Sequence, residues 1–136
     1  MGNGFNGGHS AELFLSSFEN THLTSFDIGS HNFVHHSKRY IDETFPNQHK
    51  LIVGNSIDTI PFFTNNNPEL KIDIILFDGS HDYDIVIKDM ENCIKLCHKD
   101  TIIIMDDTMY KPEWVKNWNI APTIVWNTYK NDKKIN

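Results

Sequence analysis

Short apolar segments alternate with longer amphipathic segments along most of this chain, and this alternation constrains the fold more than any other feature. Runs typical of buried strands cover residues 23–28, 50–53, 72–77 and 101–105. Helical periodicity covers residues 10–18, 33–45, 55–60, 83–97 and 121–129. Because strands that alternate with helices form a parallel sheet covered on both faces, we predict a doubly wound α/β fold with a mostly parallel sheet.

Composition sets the size and the class of partner. A chain of 136 residues, 39% of them hydrophobic, fits one domain with a real core, and we expect a single domain over residues 1–136. The formal charge is −6, and Arg39 is the only arginine. Because no broad basic surface is available to neutralise phosphates, nucleic acid is an improbable partner and a small molecule is expected.

The cysteines and the apolar runs bear on the compartment. Cys93 and Cys97 are too few for a disulfide framework, and we predict that both pack on one buried stripe of a helix. No apolar run reaches the ~18–20 residues of a membrane span, and the start lacks the pattern of a signal peptide. We therefore expect a cytoplasmic location and no membrane partner.

Glycines and acids stand where the predicted strands end. Asp27, Gly54, Asp78 and the pair Asp106-Asp107 each close a predicted strand or follow one. Because ligands of such sheets bind beyond the carboxyl ends of the strands, we expect these residues to converge on one edge.

A glycine-rich segment, Gly4-Phe5-Asn6-Gly7-Gly8-His9-Ser10, directly precedes the first predicted helix, for which Ser10 is a candidate cap. Glycines allow tight turns and close approach to a ligand, and a helix N-terminus offers free N–H groups, although a flexible tail has the same composition. Asp27 follows about 20 residues later, where an acid in this architecture binds the two ribose hydroxyls; a cap is the alternative. Ser56, after the third strand, would then lie against the purine.

Three carboxylates, those of Asp78, Asp106 and Asp107, are expected to meet at the same edge. Their mutual repulsion is tolerable when a hard divalent cation such as Mg²⁺ lies between them, and His81 or His9 could add a nitrogen ligand. The alternative is a solvated acidic rim without a metal.

Taken in order, these motifs resemble those of class I S-adenosylmethionine-dependent methyltransferases. More narrowly, Asp78-Gly79-Ser80-His81-Asp82-Tyr83 and Met105-Asp106-Asp107-Thr108 are similar to the signatures of the small-molecule O-methyltransferase-like group, which has DG-x-H-x-Y after the fourth strand and DD or HD after the fifth. The resemblance spans roughly residues 4–108. It implies a Rossmann-like fold, S-adenosylmethionine as cofactor, and a hydroxyl of a small molecule or sugar as methyl acceptor.

The resemblance also implies roles for single residues. Gly4, Asn6 and Gly8 would line the methionine end of the cofactor, Asp27 the ribose and Ser56 the adenine. The acids of the metal-dependent members, which hold a divalent ion, correspond to Asp78, Asp106 and Asp107, and Asp78 also adjoins the cofactor. His81 is the first candidate for the general base and Asp78 the second catalytic candidate; a surface turn is the alternative for His81.

Both ends depart from this family. Its fold has a buried first strand before the glycine loop, but only Met1-Gly2-Asn3 precede Gly4, so we expect that central strand to be lacking. After Thr108 come Trp114, Trp118 and Trp126, and the last two strands are also expected to be lacking. The chain is then either a fragment of a longer reading frame or a reduced homologue whose sheet is completed by a partner or a second copy. We favour the fragment, in which the tryptophans are core residues without their cover.

Two other functions compete with methyl transfer. The first is an inactive methyltransferase-fold remnant that serves as a binding or interaction module. The second is a metal-dependent hydrolase or sugar-nucleotide transferase that uses the Asp106-Asp107 pair, and it leaves the glycine loop and Asp27 without a role.

Overall fold

The computed structural model describes residues 1–132, which form a five-stranded parallel sheet with helices on both faces. The strands are β1 (Gly2–Asn3), β2 (Leu23–Asp27), β3 (His49–Val53), β4 (Ile72–Phe77) and β5 (Cys97–Met105). The helices are α1 (His9–Ser17), α2 (Phe33–Thr44), α3 (Ser56–Asn66), α4 (Tyr83–Ile94) and α5 (Ile120–Asn131), with a 3₁₀ turn at Pro112–Trp114. Their order in the sheet is β3-β2-β1-β4-β5, which confirms the Rossmann-like α/β prediction.

The first strand is present, contrary to the expectation that it is lacking. Gly2 pairs with Ser25 and Leu76, and Asn3 pairs with Phe26 and Phe77, so β1 lies between β2 and β4 at the centre of the sheet. Strand β1 is only two residues long. Two residues are too few to show the alternating pattern by which a strand is recognised in a sequence. Within residues 1–132 no strand follows β5.

Each face of the sheet has its own apolar core. On one face α3, α4 and α5 pack around a cluster that includes Phe26, Ile75 and Met90, each fully buried. On the other face α1 and α2 pack around a cluster that includes Phe5 and Ile41. Because side chains alternate across a strand, β2 contributes Phe26 to the first core and Leu23 to the second.

Several element boundaries differ from those predicted. Helix α1 begins at His9 after Gly8 and has no side-chain cap, so the assignment of Ser10 as its cap is wrong. Cys93 is buried in α4, whereas Cys97 is half-buried and belongs to β5. The prediction that the two cysteines lie on one stripe of the same helix is therefore wrong. Within the described residues, no helix combines the length and the apolar character that a membrane crossing needs.

Candidate functional site

The carboxyl ends of the strands open into a cleft of about 400 Å³, within the size range of small-molecule sites. The glycine loop after β1, the end of β2, the start of α3 and the segment after β4 all contribute walls to it. The predicted site residues that line it are Gly4, Asn6, Asp27, Ser56 and Asp78. The structure thus brings together at this edge the residues that the sequence placed there.

Glycine is required at the start of the loop. Gly4 has φ +99°, and a Cβ there would lie 1.9 Å from the carbonyl oxygen of Asp78, so no side chain fits. Gly8 has φ +81°, and a Cβ there would meet Phe5 and Ile41 instead. Gly8 therefore shapes the turn into α1 and is not among the residues that line the cleft, whereas Gly4 and Asn6 are.

The carboxylate of Asp27 holds the glycine loop in place. Phe5 and Asn6 donate their backbone N–H groups to its Oδ2 at 3.0 and 2.8 Å, and Gly29 donates to Oδ1 at 2.7 Å. A carboxylate has about four lone-pair positions, so these three bonds leave little acceptor capacity for a ligand. Asp27 lies in the cleft as predicted, and its bond from Gly29 is the capping role that the sequence offered as the alternative; the bonds from Phe5 and Asn6 were not predicted.

Ser56 lies in the cleft wall, but its hydroxyl faces a buried acid. Ser56 donates to Oδ2 of Asp89 at 2.9 Å, and the side-chain amide of Asn3 donates to the same oxygen at 2.6 Å. Asp89 is 1% exposed, and burial raises the pKa of its carboxyl, although the bonds from Ser56 and Asn3 oppose the shift. Oδ1 of Asp89 has no protein partner.

The three predicted metal-ligating acids meet beside this cleft. Carboxylate oxygens of Asp78, Asp106 and Asp107 lie within 4.8 Å of one another. Burial, followed by the neighbouring charges of Asp106 and Asp107, raises the pKa of Asp78, and His81 opposes the shift. A small pocket of about 20 Å³ is lined by these acids and by Asp89, and it has room for one water-sized group. An oxygen-only donor set of this kind suits a hard divalent cation.

His81 is paired with one of these acids. Its Nε2 lies 2.8 Å from Oδ2 of Asp107, and the side chains of both residues are partly exposed. Asp107 has φ +57°, an uncommon conformation for a non-glycine residue, and donates its backbone N–H to Oδ1 of Asp106 at 2.7 Å. The turn after β5 therefore directs two adjacent carboxylates to the same place.

Two residues of this site were not anticipated from the sequence. Asp89 lies on the apolar stripe of α4, beside Val86 and Met90, and a charged residue on such a stripe is a signal that sequence reasoning can use. Asn3 gives no comparable signal, because its burial follows from a two-residue strand. It lines both the cleft and the small pocket.

The family model described as "Methyltransferase domain" matches residues 3–108. The chain belongs to this methyltransferase family. As a class I S-adenosylmethionine-dependent methyltransferase domain, it has S-adenosylmethionine as its implied cofactor. None of the curated proteins matches it.

Solved structures share the fold of this methyltransferase domain at low sequence identity. One is described as the apo structure of CalS11, a TDP-rhamnose 3'-O-methyltransferase in calicheamicin biosynthesis; it is 17% identical, with a TM-score of 0.74 over 94% of this chain and 61% of that chain. A second structure, described as CalS11, calicheamicin methyltransferase, is 15% identical, with a TM-score of 0.74 over 94% of this chain and 62% of that one. The chain thus spans about 61% of the length of the first structure.

Proposed function

We propose that this chain transfers the methyl group of S-adenosylmethionine to a hydroxyl of a small molecule, with a sugar as the favoured acceptor. The observation that carries this proposal is the convergence of the glycine loop, Asp27 and the acids after β4 and β5 around one cleft. The first structural neighbour is described as a methyltransferase of TDP-rhamnose, and this supports the choice of a sugar hydroxyl.

The residues that line the cleft support this choice of cofactor. Gly4 and Asn6 would border its methionine end, Asp27 its ribose, and the wall formed by Gly54, Asn55 and Ser56 its adenine. When bound, the cofactor supplies an electrophilic methyl group on a sulfonium. The protein then has to orient an acceptor oxygen towards that methyl group and remove the hydroxyl proton.

His81, held by Asp107, is the candidate base for that proton. Because Nε2 of His81 faces the carboxylate of Asp107, the neutral ring carries its proton on Nε2, which leaves Nδ1 to accept the proton of the acceptor hydroxyl. Asp107 is then a positioning residue that fixes the tautomer and stabilises the imidazolium that forms. Asp78, with its raised pKa, lies between this pair and the cofactor cleft.

A divalent cation is the finer part of the proposal. Asp78, Asp106 and Asp107 would hold it, since their oxygens lie close enough to share one ion. The chemistry that such an ion would supply is a lower pKa of a hydroxyl bound to it, and His81 would then need to be only a weak base.

Calorimetric titration with S-adenosylhomocysteine tests the proposal. We expect saturable binding with a stoichiometry of one, followed by transfer of a radiolabelled methyl group from S-adenosylmethionine to sugar acceptors. The absence of any binding heat, together with no displacement of a fluorescent cofactor analogue, would contradict the proposal and favour an inactive binding module. Glu69→Gln changes an exposed charge before the amino end of β4, outside the cleft lining, and this variant should bind as the unmodified chain does.

A further inference from the structure

A buried carboxylate oxygen next to the site has no partner among the residues that the structure describes. Asp89 is 1% exposed, and its Oδ2 accepts hydrogen bonds from Asn3 and Ser56. Its Oδ1 accepts none from the described part of the chain. Because a buried acceptor without a donor costs about 1–3 kcal/mol, and more when it is charged, Oδ1 favours the binding of a small donor from outside the chain.

The pocket of about 20 Å³ has the size and the lining for such a donor. Asp89 lines it together with Asp78 and Asp106, and the apolar side chains of Val86 and Met105 line it as well. A cavity of roughly 10–15 Å³ or more holds a water molecule when polar groups are there to bind it. The pocket meets both conditions, and it has room for one such molecule.

Asn3 determines how Asp89 and Asp78 lie relative to each other. Its side-chain amide donates to Oδ2 of Asp89 at 2.6 Å, and its backbone carbonyl accepts the N–H of Asp78 at 2.8 Å. Asn3 is itself 6% exposed, belongs to the central strand β1 and lines the same pocket. One buried residue therefore binds both acids and places them on the walls of one pocket.

An ion shared by the acids after β4 and β5 does not satisfy Asp89. Among the described residues, the acids whose oxygens lie within 4.8 Å of one another are Asp78, Asp106 and Asp107, and Asp89 is not one of them. A bridging molecule can span the remaining gap. Because the carboxylate of Asp78 has about four acceptor positions, it can bind an ion and still accept one further hydrogen bond.

We propose that the pocket binds one water molecule, which donates one hydrogen bond to Oδ1 of Asp89 and the other to the carboxylate of Asp78. Asp89 is then a positioning residue, because it holds Asp78 in place through the water. This link connects the wall of the cofactor cleft, where Asn3 and Ser56 lie, with the acid that follows β4. The water site requires neither a bound cofactor nor a bound cation, and so it goes beyond the proposed function.

High-resolution crystallography of the full chain, in crystals grown without divalent ions, tests the site directly. We expect one density peak within about 3 Å of both Oδ1 of Asp89 and a carboxylate oxygen of Asp78. A second crystal soaked in Mn²⁺ should show no anomalous signal at that peak. An empty pocket, a peak that contacts only one of the two acids, or an anomalous signal in the pocket would overturn the proposal.

Val86→Ile and Val125→Ile provide a matched pair of variants. Both valines are buried in the same apolar core, but only Val86 lines the pocket. The methyl group that Val86→Ile adds should displace the water, so ¹⁷O magnetic relaxation dispersion should detect one long-lived water molecule fewer than in the unmodified chain. Val125→Ile should keep the full number. Asp89→Asn should also keep it, because its amide can donate to the water.

The same variants test the positioning role of Asp89. In crystals of Val86→Ile the side chain of Asp78 should leave the rotamer that it has in the unmodified chain, whereas in Val125→Ile and Asp89→Asn it should not. Filling a dry pocket raises the urea midpoint, but displacing a bound water leaves Oδ1 unpaired and lowers it. A Val86→Ile structure with the added methyl group in the pocket and Asp78 unmoved would overturn the positioning role.

Discussion

The side chain of Asp27 serves two purposes at the scale of the single residue, because it anchors the glycine loop and faces the cleft. Asp27→Ala should weaken binding of S-adenosylhomocysteine by about 1–3 kcal/mol, since the loop N–H groups lose their charged acceptor and the ribose loses the one acceptor position that these bonds leave. Asp27→Asn keeps one acceptor oxygen and should show a smaller loss. Calorimetric dissociation constants measure the effect, and an unchanged affinity in Asp27→Ala would remove Asp27 from the cofactor site.

Asp106 tests the cation site without disturbing the cleft. Asp106→Asn removes one of three charges and should weaken Mn²⁺ binding at least about tenfold, because each carboxylate is a ligand as well as a charge. Electron paramagnetic resonance of free Mn²⁺ measures this, and the matched control is Glu69→Gln. Equal Mn²⁺ binding in both variants, or methyl transfer that is insensitive to a chelator, would refute the metal site.

His49 makes the fold sensitive to acid. It is 9% exposed, stacks on Phe5 and shares a 3.0 Å hydrogen bond with Ser25. Burial, followed by the charge of Lys38, lowers the pKa of His49 from 6.5 to about 4, and Asp42 opposes the shift. The unfolded chain therefore takes up a proton before the folded chain does. As the pH falls from 6.5 towards 4, the free energy of unfolding therefore decreases by about 3 kcal/mol; above pH 6.5 the neutral His49 costs no stability.

Urea unfolding at a series of pH values measures that loss. His49→Gln retains a partner for Ser25 and has no titrating ring, so its free energy of unfolding should decline less between pH 6.5 and 4. Parallel pH profiles for the two proteins would show that His49 is not the group responsible.

At the scale of elements, the buried side chain of Asp89 connects α4 with β1 and α3 through hydrogen bonds. From α4 it accepts hydrogen bonds from Asn3 in β1 and from Ser56 at the start of α3. Asp89→Ala should destabilise the fold by about 2–4 kcal/mol, because both donors lose a charged partner in a buried place. Asp89→Asn keeps one oxygen for them and should cost much less. Equal unfolding midpoints for the two variants would contradict this account.

The pH dependence of Asp89 has the opposite sign to that of His49. Because its pKa is raised in the folded chain, the folded state binds the proton of Asp89 more tightly than the unfolded state does. The contribution of Asp89 to the free energy of unfolding is therefore fully present below pH 3.8, the ordinary pKa of an aspartate. It is lost as the pH rises through the raised pKa of the folded chain. Asp89→Asn should abolish this loss, which the same series of urea titrations will show.

Elements were predictable where the local pattern is strong. The limits of β4 are those predicted, because Ile72–Phe77 is a nearly continuous apolar run with a clear end at Asp78. Helix α3 continues to Asn66, past the predicted end at Ile60, because it accommodates Pro61. Strand β5 begins at Cys97, where the helical spacing of the preceding residues still continues. In both cases tertiary packing overrides the local pattern.

At the scale of the whole molecule, the sheet topology determines which parts of the site could be predicted from the sequence. The edge at which the acids and glycines meet follows from the parallel sheet alone, and so it could be predicted. The contacts of Asp89 with Asn3 and of Trp118 with His81 join residues that are far apart in the chain. Such pairs depend on the final packing of helices on the sheet, and no spacing in the sequence encodes them.

The short central strand leaves a groove at the other end of the sheet. Strands β2 and β4 have five and six residues, but β1 pairs with only two of each. A cavity of about 540 Å³ lies between the amino ends of β2 and β4, and Leu23, Ile72 and Ile74 are among its lining residues. The amino group of Met1 lies beside it, donates to the carbonyl of Ile74 at 2.8 Å, and has a pKa lowered by burial to about 6.

Residues added before Met1 should enter this groove as a continuation of β1. An added Val-Thr-Val segment would extend the pairing and bury apolar surface, whereas Gly-Ser-Gly would replace the ammonium group equally but bury none. We expect both extensions to raise the free energy of unfolding in urea, and Val-Thr-Val to raise it by about 2–3 kcal/mol more. Both extensions move the charged amino group of Met1 away from its buried place. The difference between their free energies of unfolding therefore reports the added side chains alone. Identical urea midpoints would show that the groove does not accept a strand.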